Sequence, residues 1–252
     1  MIKKSEQIFL PALLALFLFA SGCTHGEAAR NQASYHYQMG LSYLGENNIT
    51  SALVELTEAE KHNPDDPELL NYLGLAYYRK NKFELAEQKY LRALALKPAY
   101  SEARNNLGVN YLEMKRWDDA IYNLKLVNDD VFFVEHQLAG INLGLAYLGK
   151  GDYPKSLALF RSLVSANPRD PRARLHLGKV YLAMEKVELA KLEFIKATEL
   201  YRDYANAHYY LGMAHMKENN NQAAIASFRE VLRIAPDSEI GQMSREYIDS
   251  LK

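Results

Sequence analysis

Leu73-Gly74-Leu75-Ala76-Tyr77 recurs along the chain with small changes. It returns as Met39-Gly40-Leu41-Ser42-Tyr43, Leu107-Gly108-Val109-Asn110-Tyr111, Leu143-Gly144-Leu145-Ala146-Tyr147, Leu177-Gly178-Lys179-Val180-Tyr181 and Leu211-Gly212-Met213-Ala214-His215. The glycines are 34, 34, 36, 34 and 34 residues apart. A fixed period of this length is the mark of a stacked repeat array, in which each unit buries its apolar face only against its neighbours.

Outward from each glycine the same residue types return. Ala52, Ala86, Ala120, Ser156, Ala190 and Ala224 stand twelve positions on, and Leu56, Tyr90, Phe160 and Phe194 stand sixteen on. Between these groups lie Gly45-Glu46-Asn47-Asn48, Lys80-Asn81-Lys82, Gly149-Lys150-Gly151-Asp152 and Glu218-Asn219-Asn220-Asn221, all rich in turn formers. Each repeat therefore reads as two helices joined by a tight turn. The small residues are expected to let the two backbones approach, with the aromatic residues filling the space beside them. Asp66-Pro67-Glu68 and Asp170-Pro171 spell helix starts: a capping carboxylate, then a proline where its missing N–H costs nothing. Pro64, Pro98, Pro168 and Pro236 should end second helices.

The N-terminus has another character. Lys3 and Lys4 precede an apolar run of about 13 residues, Ile8 to Ala20, and the small residues Ala20-Ser21-Gly22 precede Cys23, the chain's one cysteine. This is the layout of a secretory signal, and the run is short for a bilayer-spanning helix. Removing residues 1–22 takes away two lysines and one glutamate and moves the formal charge from −1 to −2. That near-neutral balance argues against nucleic acid as a partner.

The repeat pattern resembles the tetratricopeptide family: leucine-glycine, tyrosine three on, alanine twelve on, an aromatic sixteen on and proline twenty-four on. The implied fold is an all-α tetratricopeptide solenoid of six helix-turn-helix repeats in a right-handed superhelix with a C-terminal capping helix. The boundaries read as signal 1–22, lipidated Cys23 and linker 23–32, then repeats 33–66, 67–100, 101–136, 137–170, 171–204 and 205–238. A cap over 239–252 carries Ile240, Met243, Tyr247, Ile248 and Leu251 at helical spacing. Phe132 and Arg202 replace the expected prolines, and His215 replaces a tyrosine.

Phe19-Ala20-Ser21-Gly22-Cys23 resembles the bacterial lipobox, with Ala20 where leucine is usual. The resemblance implies a covalent lipid on Cys23 and no other cofactor. Thr24 in place of aspartate implies the outer membrane, lipid-anchored on the periplasmic face. The linker 24–32 would reach at most about 30 Å.

In tetratricopeptide arrays the first helices line a groove, with contacts three residues before the glycine, one after it and four after it. Here those positions are Tyr37, Leu41 and Leu44, then Asn71, Leu75 and Tyr78, then Asn105, Val109 and Leu112. The later repeats supply Ile141, Leu145 and Leu148, Leu175, Lys179 and Leu182, and Tyr209, Met213 and Met216. The set is mostly apolar and suits an amphipathic protein segment better than a carboxylate clamp, for which Tyr37 and Leu41 are the wrong residues. The array's own next helix is an alternative occupant of part of it.

Chemistry finds little purchase. Gly144-Leu145-Ala146-Tyr147-Leu148-Gly149-Lys150 imitates a phosphate loop, but Gly151 stands where Ser or Thr is required and no strand precedes it. His208 and His215 lack further metal ligands, and Asp129-Asp130 reads as a solvated loop. No catalytic site, metal or small-molecule substrate is expected.

The 36-residue step carries a narrower resemblance. Asn105, Asn106, Gly108, Asp130, Asn142 and Gly144 match motifs of the outer-membrane lipoproteins of type IV pilus biogenesis, the PilF/PilW/Tgl group, while Leu107 and Phe133 stand where tyrosines are usual. The implied function is that of a pilotin or assembly factor, non-enzymatic, whose partner is the secretin subunit. A general periplasmic scaffold docking cell-envelope enzymes would need the same lipid and repeats and stays open.

Overall fold

The structure, a computed structural model, describes residues 30–252. The signal segment, Cys23 and residues 24–29 lie outside the described residues. Residues 30–32, expected as the end of the linker, instead open the first helix.

Thirteen helices follow one another among the described residues. They are α1 (30–45), α2 (Ile49–His62), α3 (Pro67–Arg79), α4 (Phe83–Leu96), α5 (Ser101–Glu113), α6 (Trp117–Asn128) and α7 (His136–Lys150). Then come α8 (Tyr153–Ala166), α9 (Pro171–Ala183), α10 (Val187–Leu200), α11 (Ala205–Lys217), α12 (Asn221–Ile234) and α13 (Glu239–Ser250). None is long and apolar enough to cross a membrane.

The repeat glycines make the helix pairs possible, though not by setting small against small. What faces each glycine is the bulky residue sixteen on. A Cβ added at Gly74 would lie 2.5 Å from the Tyr90 ring, and one at Gly144, Gly178 or Gly212 within 2.6 Å of Phe160, Phe194 or Phe228. The aromatic ring sits against the bare backbone, and Tyr90, Phe160, Phe194 and Phe228 are almost wholly buried. Burying each such side chain stabilises the fold by roughly 1.5–3 kcal/mol. The alanines twelve on are also fully buried, within the same helix pairs.

The turn inside each repeat has its own rule. Asn47, Asn81, Lys115, Gly151, Glu185 and Asn219 all have positive φ, between 56° and 82°. Each is the seventh residue after its repeat glycine. The left-handed residue turns the chain so that its neighbour's amide reaches back into the first helix, as when Lys82 N–H donates to the Tyr77 carbonyl at 2.9 Å. Asparagine and glycine tolerate that conformation at small cost, lysine and glutamate at more.

Between repeats the connections are four residues long, 63–66, 97–100, 167–170 and 201–204, except after α6, where seven residues, 129–135, intervene. The 36-residue step is this loop: α6 has 12 residues where the other second helices have 14. Asp66 and Asp170 cap α3 and α9 by accepting backbone N–H bonds, from Glu68 and Leu69 and from Arg172. Second helices end two residues before Pro64, Pro98, Pro168 and Pro236, as expected, but proline is not required for the stop. The helix α10 ends at Leu200 with Arg202 in the proline position.

The described residues divide into two compact units, 30–110 and 111–252, with the boundary inside α5. In the first, Leu44, Leu56, Leu69 and Leu73 form one core and Leu70, Ala93, Tyr100 and Ala103 another. In the second, Phe160, Leu175, Leu177, Val180, Tyr181 and Phe194 form the main core. The last helix, α13, closes a further cluster, its Ile248 buried and Tyr247 stacked on Phe228 at 5.2 Å.

Candidate functional site

The three rows of groove positions separate by burial. The row one residue after the glycine is half-buried throughout: Leu41, Leu75, Val109, Leu145, Lys179 and Met213. The row four after is half-buried at Tyr78, Leu112, Leu148, Leu182 and Met216, while Leu44 is buried. The row three before is buried at Asn71, Asn105, Ile141, Leu175 and Tyr209, with only Tyr37 half-buried. Those five buried side chains present almost no surface to a partner.

Their burial has a structural use in the first unit. Asn71 donates to the Tyr100 hydroxyl at 3.3 Å, and Asn106 donates to the Asn71 amide oxygen at 2.9 Å. This chain of hydrogen bonds satisfies buried amides that would otherwise cost about 1–3 kcal/mol each. Burial pushes the Tyr100 hydroxyl up to about 12, so it stays a neutral partner. Tyr37 packs edge-on against Tyr72, its ring centroid 5.9 Å away. What remains accessible here is the strip of Leu41, Leu75, Tyr78 and Val109, apolar apart from one hydroxyl.

In the second unit Ile141 and Leu175 belong to the main core and Tyr209 to the terminal cluster. The accessible strip consists of Leu145 and Leu148 on α7, Lys179 and Leu182 on α9, and Met213 and Met216 on α11. Part of it deepens into a cleft of about 390 Å³ with Leu148, Leu182 and Tyr210 in its wall. On α9, His176 stacks on Phe160 at 5.5 Å. Burial, with the charge of Lys179, pushes its imidazole down to about 4, so it is neutral at neutral pH.

The other sequence candidates have structural explanations. The phosphate-loop imitation lies inside and at the end of α7, the reverse of a strand-to-helix cradle. Gly149 is bare because Trp117 packs on it, with 2.5 Å to an added Cβ, and Gly151 is the left-handed C-cap at φ 82°. His208 Nε2 lies 2.9 Å from the Arg202 carbonyl, and His215 Nδ1 lies 3.5 Å from Glu218. Among the described residues no group of three or more His, Cys, Asp or Glu could hold a metal ion. Asp130 folds the loop after α6, accepting from Phe132 N–H at 3.0 Å. That loop buries Phe133 against Val127 and Ala139 but leaves Phe132 89% and Val134 94% exposed.

The tetratricopeptide repeat model matches residues 37–101, 141–190 and 177–239, well over half of the chain. The chain belongs to the tetratricopeptide repeat family. Among proteins similar to it is the type IV pilus assembly protein PilF of Pseudomonas aeruginosa, 26% identical over 180 residues, which cover 71% of this chain and 69% of PilF. Superkiller complex protein 3 of Mus musculus is 25% identical over 230 residues, 87% of this chain but 14% of its own length. Thus the chain spans about two thirds of the pilus protein and a small part of the superkiller protein. A solved structure of Pseudomonas aeruginosa PilF matches with TM-score 0.67 at 21% identity, covering 88% of this chain and 99% of PilF. The structure of PilW, a type IV pilus biogenesis factor, matches with TM-score 0.74 at 19% identity, covering 84% and 97%. These structural likenesses speak to the fold.

Tetratricopeptide domains mediate protein–protein contacts. Sequence reasoning named the array's own next helix as an alternative occupant of part of the groove but not which row it takes; that is the row three before the glycine, a direction set by repeat-to-repeat packing. It also missed the exposed loop tip. The signal was present in Phe132-Phe133, but which phenyl turns inward depends on a non-periodic loop.

Proposed function

We propose that this chain is a non-enzymatic, lipid-anchored assembly factor of the pilotin type, whose partner is the secretin subunit of a type IV pilus machine. The observation that carries the reading is the similarity to PilF across most of the chain, joined to six repeats that leave an apolar strip half-open on each unit. Acyl chains on Cys23 would hold it to the periplasmic face of the outer membrane, each buried methylene contributing about 0.8 kcal/mol. The half-buried rows would then receive an amphipathic secretin segment. Apolar area covered there stabilises the complex at roughly 25 cal/mol per Å², less the cost of association. The protein's part in such a reaction is steric: it covers an apolar segment that would otherwise pair wrongly before the secretin ring closes. Purification from membranes with the native anchor tests this. Secretin should co-purify, and Cys23→Ala should release the chain from the outer membrane. Recovery of cell-wall enzymes without secretin would support the scaffold reading in its place.

A further inference from the structure

The row one residue after each glycine is apolar in five repeats and carries Lys179 in the fifth. Its ammonium lies 4.9 Å from the centroid of the Tyr210 ring; the residue is half-buried and lines the cleft together with Leu148 and Leu182, and no described carboxylate lies within ion-pair distance. The cleft's other charges cancel, because Lys217 is paired to Glu185 at 2.8 Å. His176, one turn back on α9, is neutral. The cleft is thus an apolar wall with one uncompensated positive charge.

While the cleft is open, water and the Tyr210 face solvate that charge. A purely apolar segment laid over it would strip the water and leave a buried ammonium unpaired, which is strongly unfavourable. A segment bringing a carboxylate would instead form a charge-assisted hydrogen bond in a partly desolvated place. We infer that the second unit selects an apolar helical segment bearing one Asp or Glu, with Lys179 as the specificity-determining contact. This deepens the groove reading above and depends on it for the binding face, not for the identity of the partner. One ammonium makes a single-point contact, unlike the multi-residue clamp that Tyr37 and Leu41 exclude.

The test uses residues 24–252 of the chain and two end-blocked helical peptides of leucine, alanine and glutamine, identical except for one central glutamate or glutamine. Fluorescence anisotropy at low salt should give the glutamate peptide about tenfold tighter binding. Lys179→Met, which installs the residue that Met213 supplies in the next repeat, should abolish that preference and tighten the glutamine peptide. Circular dichroism checks that the variant keeps its helices. Lys217→Met, which unmasks Glu185 beside the cleft, should weaken the glutamate peptide further. Equal binding of the two peptides by the unsubstituted protein, a preference that survives Lys179→Met, or binding of neither peptide at millimolar concentration would each overturn the inference. No secretin sequence is present in the peptides, so their result stands or falls apart from the secretin assignment.

Discussion

Lys115 and Glu185 occupy the left-handed turn position that Asn47, Asn81, Gly151 and Asn219 fill more cheaply. A β-carbon in that conformation costs about 1 kcal/mol. Lys115→Gly should therefore raise stability by about 0.5–1 kcal/mol, read as a higher urea midpoint at unchanged slope. His176 makes a second residue-scale prediction. Its folded pKa, about 4, lies below the ordinary 6.5, so the unfolded chain binds its proton more readily. The resulting stability is fully present above pH 6.5 and drains away as pH falls toward 4. Lys179 and Arg172 face the ring and oppose its protonation, while Asp170 favours it. The variant His176→Leu should lose about 1–2 kcal/mol of the stability difference between pH 7 and pH 5, measured by denaturation at the two pH values. Neither effect was fully legible in the sequence. The recurrence of Asn at the seventh position was visible, but the left-handed backbone is known only from φ, and the His176 environment is assembled by three elements.

At the scale of elements, the caps and the inter-repeat loops decide where helices begin and end. Asp170 is buried and accepts from the Arg172 backbone and guanidinium. Burial alone would raise its carboxyl, but these hydrogen bonds prevail and hold it below the ordinary carboxylate value. Asp170→Ala should cost about 1–2 kcal/mol, more than Asp66→Ala, whose side chain is less buried. At the other end of the array, Gly241 sits where an added Cβ would be 2.4 Å from the Ala235 carbonyl oxygen. That contact is with backbone, so Gly241→Ala should displace α13 and destabilise the terminal cluster by about 1–3 kcal/mol, seen as faster amide exchange around Phe228. Helix existence and order were readable from the glycine-alanine-aromatic spacing, because each repeat packs on local rules. Burial of Asn71 and Asn105 was not, because it depends on the rotation of one repeat against the next. The two extra residues of the 36-residue step were readable, but not that α6 is two residues shorter and the loop after it three longer, nor the division of that loop's phenyl groups between core and solvent.

Across the whole molecule, ion pairs between residues about 30 positions apart recur along the repeats: Lys89 with Glu60, Lys150 with Asp118, Lys191 with Glu218 and Lys217 with Glu185. Exposed pairs of this kind contribute about 0–1 kcal/mol each, so repeat-to-repeat adhesion rests mainly on the buried apolar residues. The half-buried strips border those interiors, with Leu41, Leu145, Leu148 and Leu182 packed against them and part of each side chain still open, and the binding reading centres on Leu75 in the first unit and Leu145 in the second. A glutamate at either half-buried site adds little bulk and opposes an apolar partner. The most direct measurement is the amount of secretin multimer in outer membranes of cells carrying Leu75→Glu with Leu145→Glu, once circular dichroism of the purified variant shows native helix content. Loss of the multimer with monomeric secretin accumulating is the expected result; multimer at the unsubstituted level would contradict the groove as the site of assembly.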